Sequence, residues 1–319
     1  MNLEKEVAEI LGYLEGKGLN KLAGCIRGGW QKTALAYSKE LNTYQPAREM
    51  EPEMAEAFRR ELARVGKKSP EKILDSIRRR RILQTAPHLV VTENPRMLCI
   101  NWLGSLGVPD DEYYVVAMYS GIPFSNSFRP GRINKSEDSI NLIPSNMQDD
   151  QVFRSQIPEK LVTTVRTLPE KLKLLCPEAQ VGDSFTRFAL ATCGNIERQV
   201  LRKENLVYLD INEIADNYYK EKNEKYELGL FQTFRPFLTN HFKCFGSFRQ
   251  VEYLPEFAER LGVSGVPTEN LTTGEFREKP FPADVVLGEE FTPDPNMLFG
   301  ELIVNMMDKE WLQKHIERI

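Results

Sequence analysis

Leu89-Val90-Val91-Thr92-Glu93-Asn94-Pro95, continued through Gly104 and Gly107 to Tyr113-Tyr114-Val115-Val116-Ala117-Met118-Tyr119, decides the fold class. A short β-branched run meets a Thr-Glu-Asn-Pro start signal in which Pro95 suits the first turn of a helix and Gly104 or Gly107 suits its end. A second apolar run follows, so the unit reads strand, helix, strand. Strands joined in this way run parallel and are covered on both faces, which is why their sequences are continuously apolar rather than alternating.

Further out, Leu206-Val207-Tyr208-Leu209 and Val285-Val286-Leu287 read as buried strands, with helices expected over 158–175, 184–202 and 211–225. Arg132-Ile133 and Ser139-Ile140-Asn141-Leu142-Ile143 flank a polar loop and read as an inserted β-hairpin. Upstream, Leu3, Val7, Ile10, Leu11 and Leu14, then Ala55, Phe58, Leu62 and Val65, recur at helical spacing. The expected architecture is α/β: a helical N-terminal lobe over 1–81, then a Rossmann-like, mostly parallel sheet with the inserted hairpin over 82–319. A C-terminal helix from Asp308 to Ile319, with Trp311, Leu312 and Ile316 on one face, is expected to cap that core. Cys193-Gly194-Asn195 reads as a small-residue patch that lets a helix pack closely.

The chain has 319 residues, 41% hydrophobic and 28% charged, with a formal charge of −4, which excludes collagen-like, disordered and disulfide-scaffold classes. Its five cysteines are scattered without a C-x-x-C pair, so reduced thiols are expected and a zinc ribbon is not. Met1 to Gly12 carries four charges and lacks the apolar core of a secretion signal. No apolar run approaches the roughly 18 residues of a membrane helix. A cytoplasmic, non-membrane protein is expected. Charge is uneven: residues 1–83 hold 17 Lys and Arg against 12 Asp and Glu, a net of +5, which leaves −9 for the rest. The peak is Arg78-Arg79-Arg80-Arg81, readable as a phosphate or nucleic-acid contact or as the solvated last turn of a helix.

The first candidate site is Ile82-Leu83-Gln84-Thr85-Ala86-Pro87-His88, an apolar lead into a turn dense in hydrogen-bonding groups just before a helix. Ligands of open α/β sheets collect beyond the carboxyl ends of strands, and His88 titrates near neutrality, so it is the candidate acid or base. The second is Ser120 to Arg132, where Arg129 and Arg132 offer planar forks of donors for a carboxylate or phosphate and Asn126 can orient a substrate. Gln84, Thr85 and Asp210 join that substrate-binding set, Asp210 being equally an N-cap for the helix that follows it. Secondary candidates are His241 and Cys244, whose H-x-x-C spacing could supply ligands or a nucleophile without any motif that fixes a metal. P-loop, G-x-G-x-x-G, G-x-S-x-G and H-E-x-x-H signatures are all absent.

Over the short stretch from Ile82 to Pro95, Thr85-Ala86-Pro87-His88 before a helix resembles two things. One is the histidine placement of the nucleotidyl-transferase and class I synthetase superfamily, and the other is the turn of the bacillithiol-forming putative cysteine ligases. The paired glycine-histidine pattern and the later signature lysines are missing. The resemblance implies ligation or group transfer rather than hydride transfer. The expectation is thus a cytosolic ligase or group transferase for a small, polar, anionic substrate, with a homo-oligomer compatible, nucleic acid disfavoured by the net acidity, and no cofactor or metal assigned. The alternative is a non-catalytic partner-binding or nucleic-acid-associated protein that uses the basic lobe.

Overall fold

A computed structural model describes residues 2–307 and 309–316, with the side chains of 309, 310 and 316 excepted. Helices α1 (Leu3–Gly16), α2 (Asn20–Gly29), α3 (Ala34–Leu41), α4 (Pro52–Arg64) and α5 (Pro70–Arg80) precede β1 (Ile82–Gln84). Asn2 and Thr33 cap α1 and α3 by accepting from the amides of Lys5 and Ala36, and Pro52 and Pro70 open α4 and α5 without a wasted donor. Next come α6 (Pro95–Leu106), β2 (Tyr114–Met118), the short strands β3 (Arg132–Ile133) and β4 (Ile140–Asn141), and helices α7 (Glu159–Arg166), α8 (Glu170–Lys173) and α9 (Phe185–Leu201). The chain continues through β5 (Leu206–Asp210), α10 (Ile211–Glu221), α11 (Leu230–Thr239), β6 (Lys243–Phe245), α12 (Gln250–Arg260), α13 (Pro282–Leu287), α14 (Phe299–Met306) and α15 (Lys309–Ile316).

Strands β5, β2, β1 and β6 form one sheet in that spatial order, and every pair is parallel. Counted along the chain the order is third, second, first, fourth, so the direction of travel across the sheet reverses between β1 and β6. The sheet is buried throughout, from Leu83 and Val116 to Leu209 and Phe245. Strands β3 and β4 pair antiparallel in a separate two-stranded ribbon, Arg132 opposite Asn141 and Ile133 opposite Ile140.

Packing ties the leading helices to this sheet. Helix α4 lies against α10 and touches β5, while α3 lies against α6. Glu61 of α4 is fully buried, and its Oε1 accepts the amide of Asp210 at 2.8 Å while Arg64 grips both carboxylate oxygens at 2.6 and 2.9 Å. All five cysteines are free thiols. Among the described residues, no helix is long and apolar enough to cross a membrane.

Several expectations need correction. Leu89-Val90-Val91 is not a strand: β1 is the preceding Ile82–Gln84, and the run beyond it only touches the end of β2 through one bridge between His88 and Tyr119. Val285-Val286-Leu287 is the second half of helix α13, where Pro282 and Asp284 in the first turn override the β-branched preference. Lys243–Phe245, not read as a strand, is the sheet's fourth member. The closing helix is described only over Lys309–Ile316, so Asp308, residues 317–319 and the packing of Ile316 lie outside the described residues, while Trp311 and Leu312 are buried.

Gly104 lies inside α6 rather than at its end, which falls at Gly107. A Cβ at Gly104 would collide with the Tyr114 hydroxyl, the group that accepts from Gln84 Nε2 at 3.1 Å. Gly104→Ala should therefore destabilise the protein by about 1–3 kcal/mol, the usual cost of overpacking. Urea denaturation measures it, and an unchanged midpoint would show that the α6 and β2 contact is loose.

Candidate functional site

Because the sheet is parallel, Gln84, Met118, Asp210 and Phe245 all end at one edge. Where strand order reverses, loops after neighbouring strands leave to opposite faces and a crevice opens between them. Here that place lies between the loop after β1, residues 85–88, and the loop after β6, residues 246–249.

The floor between these two loops is closed by side-chain hydrogen bonds. Thr85 Oγ1 donates to the Phe245 carbonyl at 3.0 Å and lies 3.1 Å from Gln250 Oε1, and Gln250 Nε2 returns a bond to the Thr85 carbonyl at 2.7 Å. Gln84 Nε2 bonds Tyr114 Oη and Thr272 Oγ1 at 3.1 Å each, and its Oε1 accepts the Ala86 amide at 3.2 Å. Both residues are fully engaged within the fold.

His88 sits above this floor. Its ring lies 4.3 Å from that of Phe128 and 5.9 Å from that of Tyr119, with Tyr119 edge-on. Phe128 in turn packs on a small apolar cluster of Ala86, Met97 and Ile100. The imidazole Nδ1 is buried and has no hydrogen-bond partner among the described residues. Burial, and then the Arg249 charge, push the His88 pKa down to about 4. The ring is therefore neutral near pH 7.

The Ser120 to Arg132 loop approaches from the β2 side. Asn126 Oδ1 accepts the Phe128 amide at 3.1 Å, and the Asn126 carbonyl accepts the Arg129 amide at 2.8 Å, so Asn126 folds the turn that presents Phe128 to His88. Arg129 has φ 54, a left-handed conformation that a residue before proline rarely takes. The Val91 amide reaches the Pro130 carbonyl at 3.3 Å and laces the two loops together. Arg129 is exposed and Arg132 half-buried, and neither forms an ion pair among the described residues. Arg249 is exposed at the other rim, 5.8 Å over the Phe248 ring. Phe248 meets Trp311 of α15 at 5.0 Å, and Arg96 of α6 lies 5.5 Å over the same indole.

Asp210 occupies the far end of the edge and acts as the N-cap of α10, its Oδ1 accepting the Asn212 amide at 2.9 Å and the Ser120 hydroxyl at 2.8 Å. Its other oxygen is buried without a partner among the described residues. Burial drives its pKa up to about 8, against the pull of Arg64. Asn212 completes a network with Tyr226 and Thr233.

His241 and Cys244 are not assembled with His88. His241 precedes β6 at the opposite edge of the sheet, in a left-handed conformation, with its carbonyl accepting from Tyr44 at 2.9 Å. Cys244 is buried inside β6 and its thiol is pushed up to about 12 by burial. The four-arginine run is dispersed. Arg78 pairs with Asp75 and Arg79 with Glu112, Arg80 bonds Asn42 and the Tyr113 carbonyl, and Arg81 is buried against the Asn240 carbonyl.

Sequence reading missed Arg249 and Arg96. Phe242 to Phe245 followed by Gly246-Ser247 has the pattern of a strand and its terminal turn, and that signal would have placed Arg249 beyond a strand end. Arg96 stands one residue past Pro95, in the first turn of a helix whose start was legible. No known protein family, curated protein or solved structure matches the chain.

A folded-state pKa below the ordinary histidine value of 6.5 means that the native protein binds fewer protons than the unfolded chain between about pH 4 and 6.5. Stability from His88 is thus present above that window and lost as pH falls through it. His88→Asn should flatten the decline in unfolding free energy from pH 6.5 to 4 relative to the parent. Parallel declines would place His88 in an ordinary solvated setting.

Proposed function

We propose that this protein is a ligase or group transferase that holds a small, polar, anionic substrate in the crevice between the ends of β1 and β6, with His88 as the proton-transfer group. The order third, second, first, fourth matches the opening half of a doubly wound sheet, which supports a Rossmann-like reading of the core from 82 onward. The observation that carries the functional reading is the unpartnered Nδ1 of a neutral imidazole beside a guanidinium that itself lacks an anion.

In the free protein the neutral ring can accept a proton. An anion seated against Arg249 offsets the charge that, after burial, depresses the imidazole, so the bound ligand raises the affinity of His88 for the proton it takes. Gln84 and Thr85 fix the crevice and Asn126 fixes the loop, while Asp210 with Ser120 holds β2 and β5 at the far end of the same edge. Arg80 and Arg81 are engaged inside the fold while the exposed Arg78 and Arg79 pair with Asp75 and Glu112, and this dispersal favours the present reading over a continuous basic nucleic-acid surface. A cytoplasmic setting fits five free thiols.

The test is a thermal-shift screen of phosphate- and carboxylate-bearing metabolites, followed by calorimetry on hits. Arg129→Gln, Arg132→Gln and Arg249→Gln in one variant should weaken binding by roughly tenfold or more, since a charge-assisted hydrogen bond contributes about 1.5–3 kcal/mol. Once a reaction is found, His88→Asn should slow it by about 10²–10⁴-fold. Unchanged affinity in the triple variant would refute the site.

A further inference from the structure

Away from the crevice, Cys193 and Glu197 stand four residues apart on α9 and so share one helical face. That face lies on β5, where the Tyr208 hydroxyl donates to Glu197 Oε2, and Asn101 Nδ2 of α6 donates to the same oxygen at 2.9 Å. Glu93, from the separate segment before α6, reaches the same place. One ligand atom each from Glu93, Cys193 and Glu197 lies within 4.8 Å of the others, and all three side chains are buried. Gly194 allows the helix to sit this close, since a Cβ there would stand 2.9 Å from Tyr208 Cδ2.

Burying two carboxylates without a counter-charge costs several kcal/mol each, so such groups are normally paired, protonated or bound to metal. Neither glutamate has a basic partner among the described residues, and the nearby Arg198 spends its guanidinium on the Leu206 carbonyl and Asn195. Three acceptors are left over: Glu93 Oε1, Glu197 Oε1 and Asn101 Oδ1 have no hydrogen-bond partner among the described residues. Glu93 is 1% exposed and Asn101 fully buried. Each comes from a different segment than the helical pair: Glu93 brings a carboxylate oxygen within 4.8 Å of it, and Asn101 bonds Glu197 directly.

We propose that Glu93, Cys193 and Glu197 form a buried site for one divalent transition-metal ion of the zinc class, with Asn101 supplying a fourth oxygen. Three anionic donors of mixed sulfur and oxygen type suit a tetrahedral ion that tolerates both, and the spacing suits ligands around a single centre. Tyr208 holds Glu197 from behind, as an outer-shell donor does. Binding ionises the Cys193 thiol and releases its proton to solvent, together with any proton the carboxylates share. Full burial makes the ion structural, taken up as the chain folds and joining α6, α9 and β5.

The full-length protein is unfolded in chelator and refolded with Co²⁺ or Zn²⁺. The expected result is one tightly held Co²⁺ per chain, a near-ultraviolet thiolate-to-cobalt charge-transfer band, displacement of that band by Zn²⁺, and a higher melting temperature than the metal-free protein. Cys193→Ser should abolish the band. Glu197→Gln should weaken cobalt binding by at least roughly tenfold, because even outer-shell changes cost about 10–100-fold. If the variants fail to fold, the band in the parent decides. Refolded parent without a band overturns the site, whether it holds no metal, the two glutamates then sharing a proton, or holds cobalt elsewhere without a thiolate ligand.

Discussion

The reversal of strand order between β1 and β6 is the constraint on which the rest of the architecture turns. A parallel sheet cannot be closed by hairpins, so each strand needs a crossover, and both faces must be covered by helices. The crossover that leaves β1 runs toward β2, away from β6, and does not cover the seam between β1 and β6 at its carboxyl end. The chain fills that seam with side chains instead. Gln250 exchanges hydrogen bonds with Thr85 on either side of the gap, and Gln84 spans β1, β2 and Thr272 just beneath it.

The polar groups of the edge divide into two kinds. Toward β5, Ser120, Asn212, Tyr226 and Thr233 satisfy one another, and Asp210 caps a helix, so most of that end is committed to holding β2, β5 and α10 in register. Toward β6, His88 keeps an unused ring nitrogen, and three guanidiniums stand without ion pairs among the described residues. A buried polar group left unmade costs more than a made bond returns, and His88 Nδ1 is such a group beside guanidiniums without ion pairs, while Asp210 Oδ2 is one at the β5 end. Phe128 packs on the His88 ring, and Phe248 packs on Trp311 beside Arg249.

Much of this was legible because local chemistry and the fold agree. Pro95 and Asn94 start a helix where the sequence says one should start, Ser184 caps α9, and the apolar run at 206–209 is a buried strand of the parallel sheet. The failures have physical causes. Ile82–Gln84 is too short to announce itself as a strand, and Leu89–Val91 is β-branched yet has only the end of β2 to pair with. Phe242 to Phe245 is aromatic on a scale that suits a core helix as well as a strand. In the site, His88 and the arginine loop were visible as residues, but their meeting through Phe128 is a tertiary contact that no spacing encodes. The same holds for Glu93, Cys193 and Glu197, which come from two distant segments, and for Gln84 and Thr85, whose side chains bond Thr272 and Gln250 more than 150 positions away.

The central claim is that His88 is a neutral imidazole waiting for an anion. The chain has only three histidines, His88, His241 and His315, so each ring can be followed separately by NMR in the intact protein, with His88→Asn to assign its signals. A pH titration of the ring resonances, without and with saturating phosphate or a carboxylate hit, measures the claim directly. The account predicts a His88 midpoint near 4 in the free protein, moved upward by the anion while the other two histidines stay in place. A midpoint in the ordinary histidine range, unmoved by any anion that binds, would contradict it.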